Sequence, residues 1–391
     1  MSEKETAIFL FLVAFGAFFM PFLSKRLLLP AAVGEMIYGI VLASIIPYGQ
    51  DEVNMVTYFS SLGFLILMYL AGLELDFDKF KALPSKELWV YLLTFIPIAV
   101  SSVYIADYFS LHWSFGLIFF ATGIGLVFPV LKETNLIQTD FGQKLLIIIT
   151  LGEILTLIGV TIVTIVSKSG FTIESAVNFA SIAVFFIVIY ISMRMLKLLL
   201  WWKPHLQSIF LEVGNPTETG MRANFVILFA FVAFAAIFHV EFVVGAFIGG
   251  MMFALVFAGR EEVIDKLGGV GYGFFIPIFF INVGMQVTFS DFFDKQVIIL
   301  AFKIILAMVI TRLIGSIVLF FSDIPKSRII LVTTGMSFPL TMLVAVSTIC
   351  YEANMINKLE TSAVLLAAMI SAIIFPWVFK AISAILIPGD E

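Results

Sequence analysis

Between Leu145 and Val166 the chain holds one charged residue, Glu153, and runs of this kind recur from end to end. The hydrocarbon core of a bilayer is about 30 Å thick, and a helix crosses it in about 20 apolar residues. In lipid every backbone N–H and C=O must find a partner within the protein, so runs of this length form helices. The expected fold is therefore an all-α polytopic membrane protein. Thirteen spans are predicted, near 6–23, 31–47, 57–73, 88–108, 113–131, 145–166, 173–200, 220–239, 241–258, 268–285, 297–321, 328–350 and 362–387. A 13% share of charged residues agrees, since soluble domains carry about 25%. With a net charge of -5 and no basic patch, nucleic acid is excluded as a partner. The single cysteine, Cys350, rules out an intrachain disulfide and is read as apolar filler. The first apolar run opens the series of spans and is not read as a cleavable signal, and no soluble regulatory domain is expected at the end, Asp390 and Glu391.

An odd number of spans puts the termini on opposite sides. Fifteen lysines and arginines, among them Lys25, Arg26, Lys79, Lys81, Arg260 and Arg328, fall in odd-numbered loops, against four at the N-terminus and in even loops: Lys4, Lys168, Lys295 and Lys358. Cytoplasmic loops carry the excess of positive charge, so the N-terminus is expected outside and the C-terminus in the cytoplasm. The seventh run continues through Arg194 and Lys197 and reads as a tilted or amphipathic linker at the cytoplasmic face.

Two spans carry interruptions at matching places. Ala121-Thr122-Gly123-Ile124-Gly125 is followed by Pro129, and Thr333-Thr334-Gly335-Met336-Ser337 by Pro339. Gly weakens a helix and Pro removes a donor, so Gly125, Pro129, Gly335 and Pro339 mark expected helix breaks. Paired breaks in two halves point to a transporter's binding site, where half-helix ends and carbonyls hold ions; a kink or close packing alone is the plainer reading. The two break-bearing spans enter from opposite sides, which makes spans 4–6 and 11–13 inverted repeats. Counted at 1.5 Å per residue, Glu153, Thr122 and Arg312 all lie about 12 to 14 Å from a membrane surface. A carboxylate at that depth is costly and marks an ion or proton path. Lys303 and Arg312, nine residues apart, point to opposite faces of their helix, so only one can face the site. A purely structural pair of Glu153 with Arg312 is the alternative. Asn282 is assigned a helix-to-helix hydrogen bond, and Glu35, His239 and Glu241 are assigned solvated places at span ends.

Gly34-Glu35-Met36-Ile37-Tyr38-Gly39, Leu70-Ala71-Gly72-Leu73-Glu74-Leu75, Pro129-Val130-Leu131-Lys132-Glu133 with Gly142, Gly245-Ala246-Phe247 with Gly249, Phe279 to Gly284 and Gly335-Met336-Ser337 stand in an order that resembles the monovalent cation:proton antiporter-2 (CPA2) family of sodium/proton and potassium/proton exchangers. The resemblance covers essentially the whole chain. It implies the sodium/proton antiporter fold, in which two crossed discontinuous helices sit in a moving core against a scaffold that forms a homodimer. On this chain, 1–86 and 205–287 become scaffold, 87–170 and 288–391 the two halves of the core, and 171–204 the linker. The resemblance also puts the family's ion-binding acid on Glu153, its neighbouring cation on Arg312 and its threonine on Thr122. Where many relatives have two polar residues in succession, this chain has Gly152-Glu153, which removes a side-chain ligand.

The expected function is exchange of a monovalent cation, Na+ or K+, for protons by alternating access, electroneutral because one carboxylate takes either. Glu153, Thr122, Gly123 and Ser337 are the candidate ion ligands, with Arg312 as the charge partner, and no cofactor is expected. The chain is placed in a bacterial plasma (inner) membrane among lipid. Competing expectations are a sodium-coupled symporter of an organic anion and a nontransporting sensor or partner subunit. No midspan pair suited to catalysis appears, so an enzyme is not expected.

Overall fold

The computed structural model describes residues 3–27, 29–45, 50–75, 83–137, 139–169, 173–203, 210–211, 217–238, 240–257, 261–287, 290 and 293–387. Lys79, Lys81 and Arg260 of the orientation expectation, His239 of the span-end expectation, and Asp390 and Glu391 at the end of the chain lie outside the described residues. In chain order the helices are α1 (Glu3–Arg26), α2 (Ala31–Ile45), α3 (Gln50–Leu73), α4 (Ser85–Tyr108), α5 (Phe115–Phe120), α6 (Val127–Glu133), α7 (Asp140–Ser169) and α8 (Ile173–Trp202). There follow α9 (Thr219–Ile237), α10 (Phe242–Val256), α11 (Glu261–Val270), a π turn at Gly271–Phe275, α12 (Ile276–Met285), α13 (Lys295–Ser316), α14 (Ile329–Gly335), α15 (Leu340–Glu352) and α16 (Lys358–Leu386).

Among the described residues, eight helices are long and apolar enough to cross a membrane, and α14 with α15 forms one more candidate bent by 45°. Ala31–Ile45 and Phe242–Val256 are apolar but shorter. The other two predicted runs correspond to the interrupted pair α5 and α6 and to α8.

The chain divides into two compact units, one of Met1–Phe77 with Lys168–Gln286, the other of Asp78–Ser167 with Val287–Glu391. In the first unit two helix pairs meet backbone to backbone. A Cβ on Gly39 would stand 2.0 Å from the Ile281 carbonyl oxygen, and one on Gly284 would stand 2.1 Å from that of Met36, so α2 and α12 press reciprocally into each other. Gly72 and Gly250 do the same for α3 and α10 against the carbonyls of Phe247 and Tyr69. Apolar side chains gain little from meeting each other in lipid, so close approach through small residues and buried polar bonds does the joining. Asn282 Nδ2 donates to Ser60 Oγ at 3.1 Å, the interhelical bond expected for it, and Tyr69 OH donates to Asn224 Oδ1 at 2.9 Å. Glu35 departs from its expected solvated place: on α2 it is 4% exposed, because this face of the helix is packed.

Gly39→Val is expected to force α2 from α12 and cost roughly 3 kcal/mol, the upper range for overpacking. The thermal unfolding midpoint in detergent reads this loss. Gly269→Ala, where a Cβ meets nothing within 4 Å, is expected to hold or raise that midpoint.

The second unit contains two helix triplets with an interrupted middle member: α4, α5–α6, α7 and α13, α14–α15, α16. Among the described residues three helices end on a left-handed residue that is not glycine, Ser110, Asn135 and Asn354. Each end is closed by an N–H reaching back five residues, Leu111 to Ala106, Leu136 to Leu131 and Met355 to Cys350, all at 2.9 Å. Glu87, 2% exposed in the first turn of α4, takes the Asp323 N–H on both carboxylate oxygens at 3.2 Å and so ties the start of one triplet to the second. Glu133 and Lys380 form a salt bridge between α6 and α16.

Candidate functional site

The first interruption spans residues 121–126 and the second 336–339. Gly125 lies inside the first. Gly335 is the last residue of α14, and Pro339 caps the start of α15. Pro129 departs from its expected place: it is the third residue of α6, not part of the break. The first four N–H groups of a helix have no partner within it, so a proline there starts a helix without interrupting it.

The glycines work by size. Among the described residues none takes a left-handed backbone. A Cβ on Gly123 would lie 3.2 Å from Met342 Cβ and 3.7 Å from Pro339 Cβ, and one on Gly125 would lie 3.0 Å from Thr341 Oγ1. The first interruption thus packs directly on the start of α15, and the two broken helices meet there. A Cβ on Gly335 would come within 3.2 Å of Leu145 on α7.

An interrupted helix frees backbone groups that must find partners where water is absent. Here α7 and α13 supply them. Glu153, 1% exposed on α7, accepts the Ile124 N–H on Oε2 at 3.3 Å. Thr156, one turn further along α7, accepts the Thr122 N–H at 3.2 Å and donates its own hydroxyl to the Gly152 carbonyl at 2.7 Å. Arg312 on α13, also 1% exposed, donates Nε to Met336 O at 2.7 Å, one terminal nitrogen to Phe119 O at 2.8 Å and to Met308 O at 2.9 Å, and the other to Ala121 O at 2.5 Å. One guanidinium therefore closes the carbonyl ends of both α5 and α14.

These charges match the ends they meet. The carbonyl end of a helix carries partial negative charge and the amide end partial positive charge. Arg312 takes the carbonyl ends of α5 and α14, and the Glu153 carboxylate meets an amide just before α6. Thr122 and Ser337, both buried, spend their hydroxyl protons on backbone, Thr122 on Phe120 O at 3.1 Å and Ser337 on Thr333 O at 2.7 Å. A hydroxyl that donates in this way still has lone pairs for a cation. Lys303 is exposed, over the Phe109 ring at 5.4 Å, while Arg312 is buried, as their spacing requires.

The structure thus brings Thr122, Gly123, Gly125, Glu153 and Arg312 to the first interruption, with Pro339 packed against it. Gly335 and Ser337 flank Met336, which Arg312 holds at the second. Sequence reasoning passed over Thr156 and Thr341. Three residues after Glu153 on one helix, Thr156 shares its face, and that spacing was the available signal. For Thr341 the only cue was a hydroxyl two residues past Pro339.

A model of the family described as "Sodium/hydrogen exchanger, transmembrane" matches residues 13–384. The "Putative Na(+)/H(+) antiporter YjbQ" of Bacillus subtilis (strain 168) is 27% identical over 95% of this chain and 62% of its own, so the chain spans less than two thirds of that relative's length. The "Na(+)/H(+) antiporter" of Enterococcus hirae is 26% identical over 92% of this chain and 93% of its own. The solved structure of the sodium proton antiporter MjNhaP1 from Methanocaldococcus jannaschii at pH 8 covers all of both chains, with a TM-score of 0.61 and 12% identity, a likeness of fold. Because the family match runs from within α1 to within α16, over both interrupted helices, the chain belongs to the transmembrane sodium/hydrogen exchanger family.

Proposed function

We propose that the chain exchanges a monovalent cation, Na+ or K+, for protons by alternating access, with Glu153 carrying one or the other. The observation that carries this is a buried carboxylate set against the amide of an interrupted helix, beside hydroxyl and carbonyl oxygens. Hard monovalent cations take such oxygens as ligands, and a lone carboxylate cannot hold cation and proton together. Thr122, Ser337 and the backbone at Gly123 supply neutral oxygens; Arg312 holds the two half-helix ends in place. With one titrating site the exchange is one for one and electroneutral. The names of the Bacillus subtilis and Enterococcus hirae relatives support the same reading. A homodimer in a bacterial plasma membrane, N-terminus outside, with 87–170 and 288–391 as the mobile core, completes the proposal.

Purified protein in vesicles with an internal pH dye tests it: pulses of Na+, K+ or Li+ are expected to move protons outward from the side opposite the pulse. Since the two ligands compete, the apparent half-saturating cation concentration is expected to rise about tenfold per pH unit below the site's own pKa, by mass action. Silence toward every cation would overturn the proposal, and a half-saturating concentration indifferent to pH would overturn the shared site.

A further inference from the structure

Gly152 precedes Glu153 on α7, and a side chain there would need its neighbours to move. A Cβ on it would stand 2.6 Å from Phe95 Cε1, 2.8 Å from Phe95 Cζ and 2.9 Å from Thr122 Cβ. Real Cβ atoms essentially never stand within 3.0 Å of another heavy atom, so the space a side chain at 152 would need is already filled. Phe95 comes from the middle of α4, is 2% exposed and meets the Phe120 ring edge-on at 6.0 Å. Phe120 in turn gives its carbonyl to the Thr122 hydroxyl. The phenyl ring thus stands against Gly152 of the helix that bears the acid and against Phe120, where α5 ends before the interruption that bears the candidate co-ligand.

We propose that Phe95, matched to Gly152, is a specificity-determining residue for the cation, a dry wall that denies the Glu153 site a further side-chain oxygen and excludes water on that side. The proposal rests on the assignment of Glu153 as the ion carrier. It is the ring's far edge, Cε1 and Cζ, that lies toward Gly152. The edge of an aromatic ring is its positive rim, so it offers a cation nothing, and the ion is confined to the carboxylate, hydroxyl and carbonyl side. How much of its water shell a cation keeps then depends on the room that Phe95 leaves, and Li+, Na+ and K+ differ most in that quantity.

The test is the ratio of half-saturating concentrations for Li+, Na+ and K+ in vesicles, measured for wild type, Phe95→Ala, Gly152→Ser and the double variant, each checked for a monodisperse elution profile. Phe95→Ala is expected to change at least one of these ratios by about threefold or more, within the range that one altered pocket contact produces. Gly152→Ser alone is expected to lose most transport through the clash, and adding Phe95→Ala, which removes the two shortest contacts and leaves that with Thr122 Cβ, is expected to restore part of it. Ratios for Phe95→Ala within about 1.5-fold of wild type would overturn the proposal, as would full activity of Gly152→Ser alone; if Gly152→Ser does not fold, the Phe95→Ala ratios still decide. Glu153→Gln runs in the same panel. If it transports, the carrier assignment fails, whereas a silent Glu153→Gln beside unchanged Phe95→Ala ratios refutes the wall alone.

Discussion

Glu153→Gln abolishes cation-driven proton movement, to at least a hundredfold below wild type, while the protein stays folded; this is the expected result if one carboxylate exchanges its occupants. The substitution is close to isosteric, and the amide oxygen of Gln still accepts the Ile124 N–H that the carboxylate takes at 3.3 Å. What it removes is the charge and the titratable proton. Burying a neutral amide is cheaper than burying an ion, so the unfolding midpoint in detergent is expected to hold or rise. Ligand protection gives a second reading. A cation that binds only the folded state stabilises it by about 2.7 kcal/mol at a hundred times its dissociation constant. Wild type is therefore expected to show a midpoint that climbs with the transported cation, and Glu153→Gln one that does not. Proton movement surviving in the variant would remove Glu153 from the mechanism.

Much of the fold could be read in the chain because lipid leaves few choices. Long apolar runs must become helices there, and among the described residues all eight helices long enough to cross coincide with predicted runs. Gly123, Gly125, Gly335 and Pro339 located both interruptions to within a residue or two. The reason for them was less legible. Their glycines suggested weak helix, yet Gly123 and Gly125 serve the close approach of one broken segment to the other, a relation between positions some 215 residues apart, and Gly335 packs on α7. Pro129 misled for a different reason: its meaning depends on whether it falls in the middle or the first turn of a helix, and only the observed start at Val127 settles that. The loss of a ligand at Gly152 could be seen in the sequence; the ring that fills its place comes from another helix and could not. The partners of Arg312 were likewise hidden, because backbone carbonyls exposed by an interruption have no residue type to mark them.

Arg312→Met is expected to cost on the order of 4 kcal/mol and lower the unfolding midpoint by several degrees or leave too little folded protein to purify. The methionine matches the aliphatic stem in length, so the loss is mainly of hydrogen bonds. Three carbonyls, those of Phe119, Ala121 and Met336, lose the donor that reaches them at 2.5 to 2.8 Å in a buried place. A buried acceptor left without its donor costs about 1–3 kcal/mol, more than the bond itself contributes in net terms. Met308 adds less, since its carbonyl lies within α13, four residues before Arg312 on the same helix. Arg312→Lys separates charge from geometry. It keeps a cation near the carbonyl ends of α5 and α14, but a compact ammonium lacks the planar fork that reaches Met336 on one edge and Phe119 and Ala121 on the other. Its midpoint is expected between those of wild type and Arg312→Met. If Arg312→Met instead keeps the wild-type midpoint and loses only transport, the residue serves the ion and not the architecture. The expected order, wild type above Lys above Met in stability, follows from one guanidinium joining the carbonyl ends of α5 and α14.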